Sequence, residues 1–257
     1  YGTWVLLKNG KTASDQKISK LDYVDEKIPR LDILVAARDE QNVISRLVER
    51  LFNLEYPSDK LNVYIIDDGS IDETPKILKK LSQKYKKLQV ISRSPNAGGG
   101  KSGALNHALK VTNGEWIFVL DADAQLKKDT LMRLFTFADK GSWSVVQLRK
   151  SVVNIGKNVL TNCQAIEMAM DAFFQYGRLS AAGVSELRGN GQLIKRDTLI
   201  NCGAFNEDTV TDDLDLSIRL LLSKAKIGIL WDPPVMEEAV ETLPALFAQR
   251  QRWAEGG

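Results

Sequence analysis

From residue 31 onward, apolar runs alternate with segments whose apolar positions recur at helical spacing. "LDILVAA" (31–37) reads as a buried strand, and residues 40–53 place Val43, Ile44, Leu47 and Leu51 on one helix face. "LNVYIID" (61–67), "LQVIS" (88–92) and "EWIFVLD" (115–121) repeat the strand pattern. Helices are predicted from about Glu73, after the turn residues "DGSID", and over "KSGALNHALKV" (101–111). Such alternation predicts right-handed crossovers and an α/β, Rossmann-like, mostly parallel sheet covered by helices on both faces. Ligands of such sheets sit beyond the carboxyl ends of the strands. The second and fourth strands run into acids at that edge, "DDGS" and "DADA".

The second half is less regular. Residues 155–178 read as a long helix whose Ile166, Met170, Phe173 and Phe174 are expected in the core rather than against a membrane surface. "ELRGNGQLIKR" (186–196) combines a strand pattern with glycines, "TDDLDLSIRLLLSKA" (211–225) predicts a helix capped by Thr211, and "KIGILW" (226–231) predicts a short strand. Residues 1–30 are mixed and read as a linker or peripheral strands.

Composition narrows the class. A net charge of +2 over 257 residues, with basic and acidic residues interspersed, leaves no nucleic-acid footprint. Cys163 and Cys202 form neither a CxxC nor a Cys/His cluster, so neither a zinc site nor a disulfide framework is indicated. No apolar run reaches the ~18 residues of a membrane span. The chain opens at Tyr1 without a Met and stops just after "QRQRW", which predicts a catalytic domain excised from a longer membrane protein.

The acids suggest chemistry. In an extended chain Asp121 and Asp123, at i and i+2, face the same way and could address one ligand. Hard divalent cations take carboxylates together with substrate phosphates; solvated strand-end acids have the same spacing. Asp67 and Asp68 could accept hydrogen bonds from a nucleobase or ribose, or form an Asp-Gly turn. "NAGGGKSGALN" mimics the end of a P-loop but has Pro95 where the first Gly belongs; Lys101 remains a candidate for a diphosphate. Asp212 and Asp213 sit in a helix first turn, where the dipole lowers a carboxylate's pKa and keeps a base ionised. Gln249 and Arg252 share a helix face, with Trp253 offering a flat surface. His107 reads as structural.

"VAARDE", "DDGS", "GGKSGALN", "DAD", "TDD" and "QRQRW", in this order over roughly residues 31 to 253, resemble the family 2 glycosyltransferases. That resemblance implies a GT-A fold over 31–257, with 31–125 as the nucleotide-binding half and 126–257 as the acceptor-binding half. It implies an inverting transferase using a UDP-sugar and a divalent metal, Mg²⁺ or Mn²⁺. Asp67 and Asp68 match the pair that contacts uracil and ribose, and Lys101 matches the lysine beside the nucleotide. Asp121 and Asp123 match the metal-holding DxD, with Asp123 ahead of Asp121 as direct ligand. Asp213 matches the general base, with Asp212 standing where Glu is usual. Gln249, Arg252 and Trp253 match QxxRW, whose polar members contact the diphosphate while Trp lines the acceptor site. Gly189, Asn190 and Gly191, with Asp212, fall on the acceptor side. The shortest segments are most similar to members that move glucose from UDP-glucose to diacylglycerol; a processive β-glycan synthase is the alternative. Both readings imply the cytoplasmic face of a membrane, reached through flanking segments, and no nucleic-acid partner. A nucleotidyltransferase would need a Gly-rich loop after the first strand, which "VAARDEQNV" lacks, and a catalytically dead binding domain would not need the three acidic sites.

Overall fold

The computed structural model describes residues 28–209 and 211–254, apart from the side chains of residues 252 and 253; the expectations for residues 1–27 and for those two side chains lie outside the described residues. Seven strands, β1 (Leu31–Ala37), β2 (Leu61–Asp67), β3 (Leu88–Ser92), β4 (Trp116–Leu120), β5 (Val145–Val152), β6 (Gln192–Lys195) and β7 (Ile227–Glu237), form one sheet in the order β3-β2-β1-β4-β6-β5-β7. The first four are mutually parallel. β6 runs antiparallel to both β4 and β5, and β5 pairs parallel with β7. The arrangement is the mostly parallel α/β sheet that the alternating pattern calls for, and it fits the GT-A fold that the resemblance implies.

Helices α1 (Ile44–Leu51), α2 (Thr74–Lys84), α3 (Gly100–Leu109), α4 (Thr130–Lys140), α5 (Val159–Ala182), α6 (Arg196–Asn201), α7 (Asp212–Leu222) and α8 (Leu243–Ala254) complete the described elements. Alternation along β1 divides the core. Leu31, Ile33 and Val35 face Leu47, Val48 and Leu51 of α1 and Leu131 and Leu134 of α4, whereas Leu34 faces Ala104, Leu105 and Ala108 of α3 with Leu216 and Leu220 of α7. Both faces of β1 are therefore buried, which is why its sequence is apolar apart from Asp32, a buried acid that accepts from Arg196 and Asn62.

Three expectations change. β4 ends at Leu120, so Asp121 and Asp123 lie in a turn rather than on a pleated strand. Ala122 and Ala124 are buried while both acids stay partly open, so the two carboxylates still share one side. Residues 126–154, unassigned from the sequence, hold α4 and β5, and the last strand runs on through Pro233 and Pro234 to Glu237, with a register shift opposite the prolines, which cannot donate to a ladder. The third change concerns α5. Thr161, Gln164 and Gln175 point inward, with Gln164 donating to the Val240 carbonyl and Gln175 to Asp171, while Ile166, Met170 and Phe174 are more than half exposed. Three of the four residues expected in the core thus face outward, with Phe173 half-buried, because the buried positions of this helix are polar or small. α8 adds exposed Leu243 and Phe247, and Arg250 of α8 pairs with Glu167 of α5. Among the described residues no helix is long and apolar enough to cross a membrane.

Candidate active site

The loops after β1 and β2 lace together at the carboxyl edge. Asp39 holds a positive φ of 58°, donates its N–H to Ser70 Oγ, and accepts from the Ile71 N–H through Oδ1. Asp67 Oδ1 accepts from the Ser70 N–H, turning the chain at Gly69, and Asp72 Oδ1 accepts from the Thr74 N–H at the start of α2. Gly69 is obligatory: its φ is +74°, and a Cβ there would meet Pro95 Cα at 2.4 Å. Asp68 is buried against Arg93, whose Nη1 lies 2.5 Å from Asp68 Oδ1 and whose Nη2 donates to the Gly98 carbonyl at 2.6 Å. Arg93 escaped the sequence reading; its place directly after β3, one strand from Asp68, was the available signal.

The glycine run carries the chain into α3, with Gly98, Gly99 and Gly100 all at positive φ. Lys101, in the first turn, reaches Asp121 Oδ1 at 2.5 Å and the Gly189 carbonyl at 2.9 Å. Ser102 Oγ donates to Asp212 Oδ2 at 3.3 Å. One lysine thus ties the turn after β4 to the segment before β6, and its neighbour reaches α7. A cleft here is lined by Lys101, Gly189, Asp212 and Asp213 over Leu105 and Val119.

The segment before β6 is strongly fixed. Asn190 is fully buried; its Oδ1 accepts from the Asp121 N–H, its Nδ2 donates to Glu237, and its carbonyl accepts from Gln147 Nε2. As placed, Asn190 positions Asp121, and Gly191 packs so closely that a Cβ would stand 2.8 Å from Val235. Gly189 faces Asp213: a Cβ there would lie 3.6 Å from Asp213 Oδ2. Beside it, Arg188 is gripped bidentately by Asp171 of α5 and again by Glu186.

Electrostatics distinguish the acids. Burial first, then the Asp121 charge, pushes the Asp123 carboxyl up to about 6. Burial and neighbouring Asp212 also raise Asp213, against the Leu214 N–H, Arg188 and Lys101, which pull it down. This reverses the lowering expected from the helix start: desolvation and a like charge outweigh the dipole. Burial works against the Lys101 charge, but Asp121, Asp212 and Asp213 outweigh it and raise its pKa. A pair of carboxylates short of positive charge, one already holding an ammonium, fits a hard cation. Among the described residues no three His, Cys, Asp or Glu side chains group to hold a metal alone, so further ligands would be phosphate and water oxygens.

Lys101, Asp121, Asp123, Gly189, Asn190, Asp212 and Asp213 are gathered here. Asp67 closes β2 and Asp68 follows it, two strands away from β4. Gln249 is half-buried on α8, outside the contacts that close the cleft, and Arg252 and Trp253 follow on the same helix.

Residues 32–203 match the family model described as Glycosyl transferase family 2. The chain is 49% identical over 230 residues, 90% of its length, to the beta-monoglucosyldiacylglycerol synthase of Nostoc sp.. It spans about half the length of the curated relatives it matches at this level. By structure it resembles mannosyltransferase PcManGT from Pyrobaculum calidifontis, in complex with GDP-Man and Mn²⁺, with TM-score 0.73 and 21% identity over 99% of this chain and 69% of that one. The S. aureus TarS 1–349 complex with UDP-GlcNAc aligns with TM-score 0.63 and 22% identity, over 83% and 59% of the two chains. At such identities these two likenesses speak for the fold alone.

Proposed function

The chain belongs to glycosyl transferase family 2, and from that premise we propose that it transfers glucose from UDP-glucose to diacylglycerol with inversion, forming a β-glucosyl lipid. The observation that carries this reading is the Lys101 bridge, which brings donor-side Asp121 within one side chain of the cleft that holds Asp213. A leaving diphosphate at Asp121 and an acceptor hydroxyl at Asp213 would then meet across one sugar. Residues 31–125 serve the nucleotide and residues 126–257 the acceptor.

In this mechanism Asp67 and Asp68 accept hydrogen bonds from the base and ribose. Asp121 and Asp123 would hold a divalent cation, Mg²⁺ or Mn²⁺, which would supply charge neutralisation to the diphosphate. Lys101 donates to diphosphate oxygens, with Gln249 and Arg252 as further contacts. Asp213 takes the proton of the acceptor hydroxyl as its oxygen attacks the anomeric carbon from the face opposite UDP. One displacement forms the new C–O bond as the bond to the diphosphate breaks, so an α-linked donor yields a β-linked product. The raised pKa of Asp213 makes it a stronger base than a solvated aspartate. Gly189 borders the acceptor, Asn190, Gly191 and Asp212 shape that side, and Trp253 is the acceptor-side aromatic that the family resemblance assigns.

A lipid acceptor also accounts for the outward apolar stripe of α5 and for Leu243 and Phe247 of α8, which would rest on the membrane surface. Incubation of the protein with UDP-glucose, Mg²⁺ and diacylglycerol vesicles tests the reading by mass spectrometry. A β-glucosyl lipid lost in Asp213→Asn supports it. A UDP-sugar-dependent polymer would instead mark a processive synthase, and neither product would overturn the transferase reading.

A further inference from the structure

We propose that the Lys101 ammonium is a resident cation of the Asp121–Asp123 pair, and that a divalent metal gains the site only by displacing it. The inference rests on the reading of those two acids as metal-holding.

Lys101 Nζ sits 2.5 Å from Asp121 Oδ1, and its second partner is the Gly189 carbonyl at 2.9 Å, an oxygen of the kind that also suits a hard cation. A metal on Asp121 Oδ1 would face the ammonium at close range, and two cations so placed repel strongly at the reduced dielectric of a cleft. Lysine and metal therefore compete for that oxygen, whichever other oxygens Asp123 and Asp121 lend the metal. The ammonium stands against Asp121, Asp123, Asp212 and Asp213, and the other cation acting on Asp213, Arg188, is itself held by Asp171 and Glu186, which leaves the cleft under-neutralised and favours a doubly charged successor. The two side chains of the pair are about one-third exposed, 32% for Lys101 and 38% for Asp121, so the bond can open without unfolding the core.

Where the lysine can go is limited by its anchor. Arg93 holds the Gly98 and Gly100 carbonyls just before it, so the loop is pinned and the movement falls to the Lys101 side chain. A long flexible stem with a point charge suits that exchange, since it can leave a carboxylate and meet a phosphate oxygen without moving its backbone. Lys101 therefore opposes the metal when the nucleotide is absent and favours the diphosphate when the nucleotide is present. A residue with only a structural role would not have effects of opposite sign.

The test is Lys101→Met, with Mn²⁺ binding to the nucleotide-free protein read by electron paramagnetic resonance and UDP binding in excess Mn²⁺ read by calorimetry. Mn²⁺ should bind the variant at least about fivefold more tightly than the unaltered protein. UDP should bind it about tenfold more weakly, because a charge-assisted contact is lost. Lys101→Gln, which can still donate to the Gly189 carbonyl, should behave alike and carries the test if the Met variant does not fold. Unchanged or weaker Mn²⁺ binding in both variants overturns the inference. If Asp123→Asn abolishes Mn²⁺ binding while the lysine variants leave it unaltered, the metal reading stands and the lysine inference alone falls. Mn²⁺ binding to none of these proteins overturns both.

Discussion

The Arg93 guanidinium joins Asp68, at 2.5 Å, to the Gly98 carbonyl, at 2.6 Å, so the acid proposed for the nucleoside and the loop that launches Lys101 share one clamp. Removing one partner of a buried pair leaves the other charge uncompensated, at a cost of about 3–5 kcal/mol. Arg93→Met should therefore lower the melting temperature and raise KM for the UDP-sugar, while Lys76→Met, whose pair with Glu73 is exposed, should change stability by less than about 1 kcal/mol. Equal effects of the two substitutions would argue against the clamp.

Asp213→Asn should lower kcat by about 10²–10⁴-fold. Because burial and Asp212 raise the Asp213 pKa, its charged form is disfavoured in the folded state. The sign follows: the penalty is absent below the unfolded pKa and grows as pH rises through the folded value. The inactive variant should thus be at least as stable as the parent at neutral pH, which thermal melts at pH 7 can check.

The same shift predicts that kcat falls as pH drops through a value above that of an ordinary aspartate. Arg188, held by Asp171 and Glu186, opposes the shift. Arg188→Gln should move the acid limb of the profile to higher pH, and an unmoved limb would remove Arg188 from the electrostatics of the base.

Gly69→Ala forces a Cβ to within 2.4 Å of Pro95 Cα at a φ of +74°. The clash is with backbone, so the Asp68–Arg93 region must shift. UDP binding should fall at least about tenfold, with a loss of stability of about 1–3 kcal/mol from the strained turn. Gly98→Ala, which has open space at the same φ, should lose less.

Ile166 and Phe174 are exposed, so changing both to Ser should leave stability within about 1 kcal/mol. Activity on diacylglycerol in vesicles should nevertheless fall, while UDP affinity stays the same. Vesicle flotation alongside the assay separates lost membrane contact from lost catalysis.

Much of this was legible in the sequence because β1, β2 and β4 are buried on both faces and so read as largely apolar runs, two of which, β2 and β4, lead into acids. What the pattern concealed has physical causes. β6 is four residues long and pairs antiparallel with strands on either side, a long-range relation that periodicity does not encode. α5 keeps Gln164 and Gln175 inside by hydrogen-bonding them, so its apolar residues indicate the outer face and not the core. The turn at Asp121 depends on Asn190, 69 positions away, and the pKa of Asp213 depends on burial that no local spacing reveals.

β6 is the one strand here whose neighbours on both sides run opposite to it, so its beginning, and not its end, lies at the reactive edge beside the close of β4. The chain leaves that edge at Asp121 and returns to it at Asn190, where the two ends are stitched by a hydrogen bond. Between those endpoints β5 supports the junction directly, Gln147 donating to the Asn190 carbonyl, while α5 reaches it through the Asp171 pair with Arg188. The Asp121–Asn190 junction is thus tied to α5 by an ion pair, which leaves the rest of that helix free to vary where Asp171 is kept. Grafting α5 from a relative with a different acceptor onto this frame is the direct way to exploit that freedom.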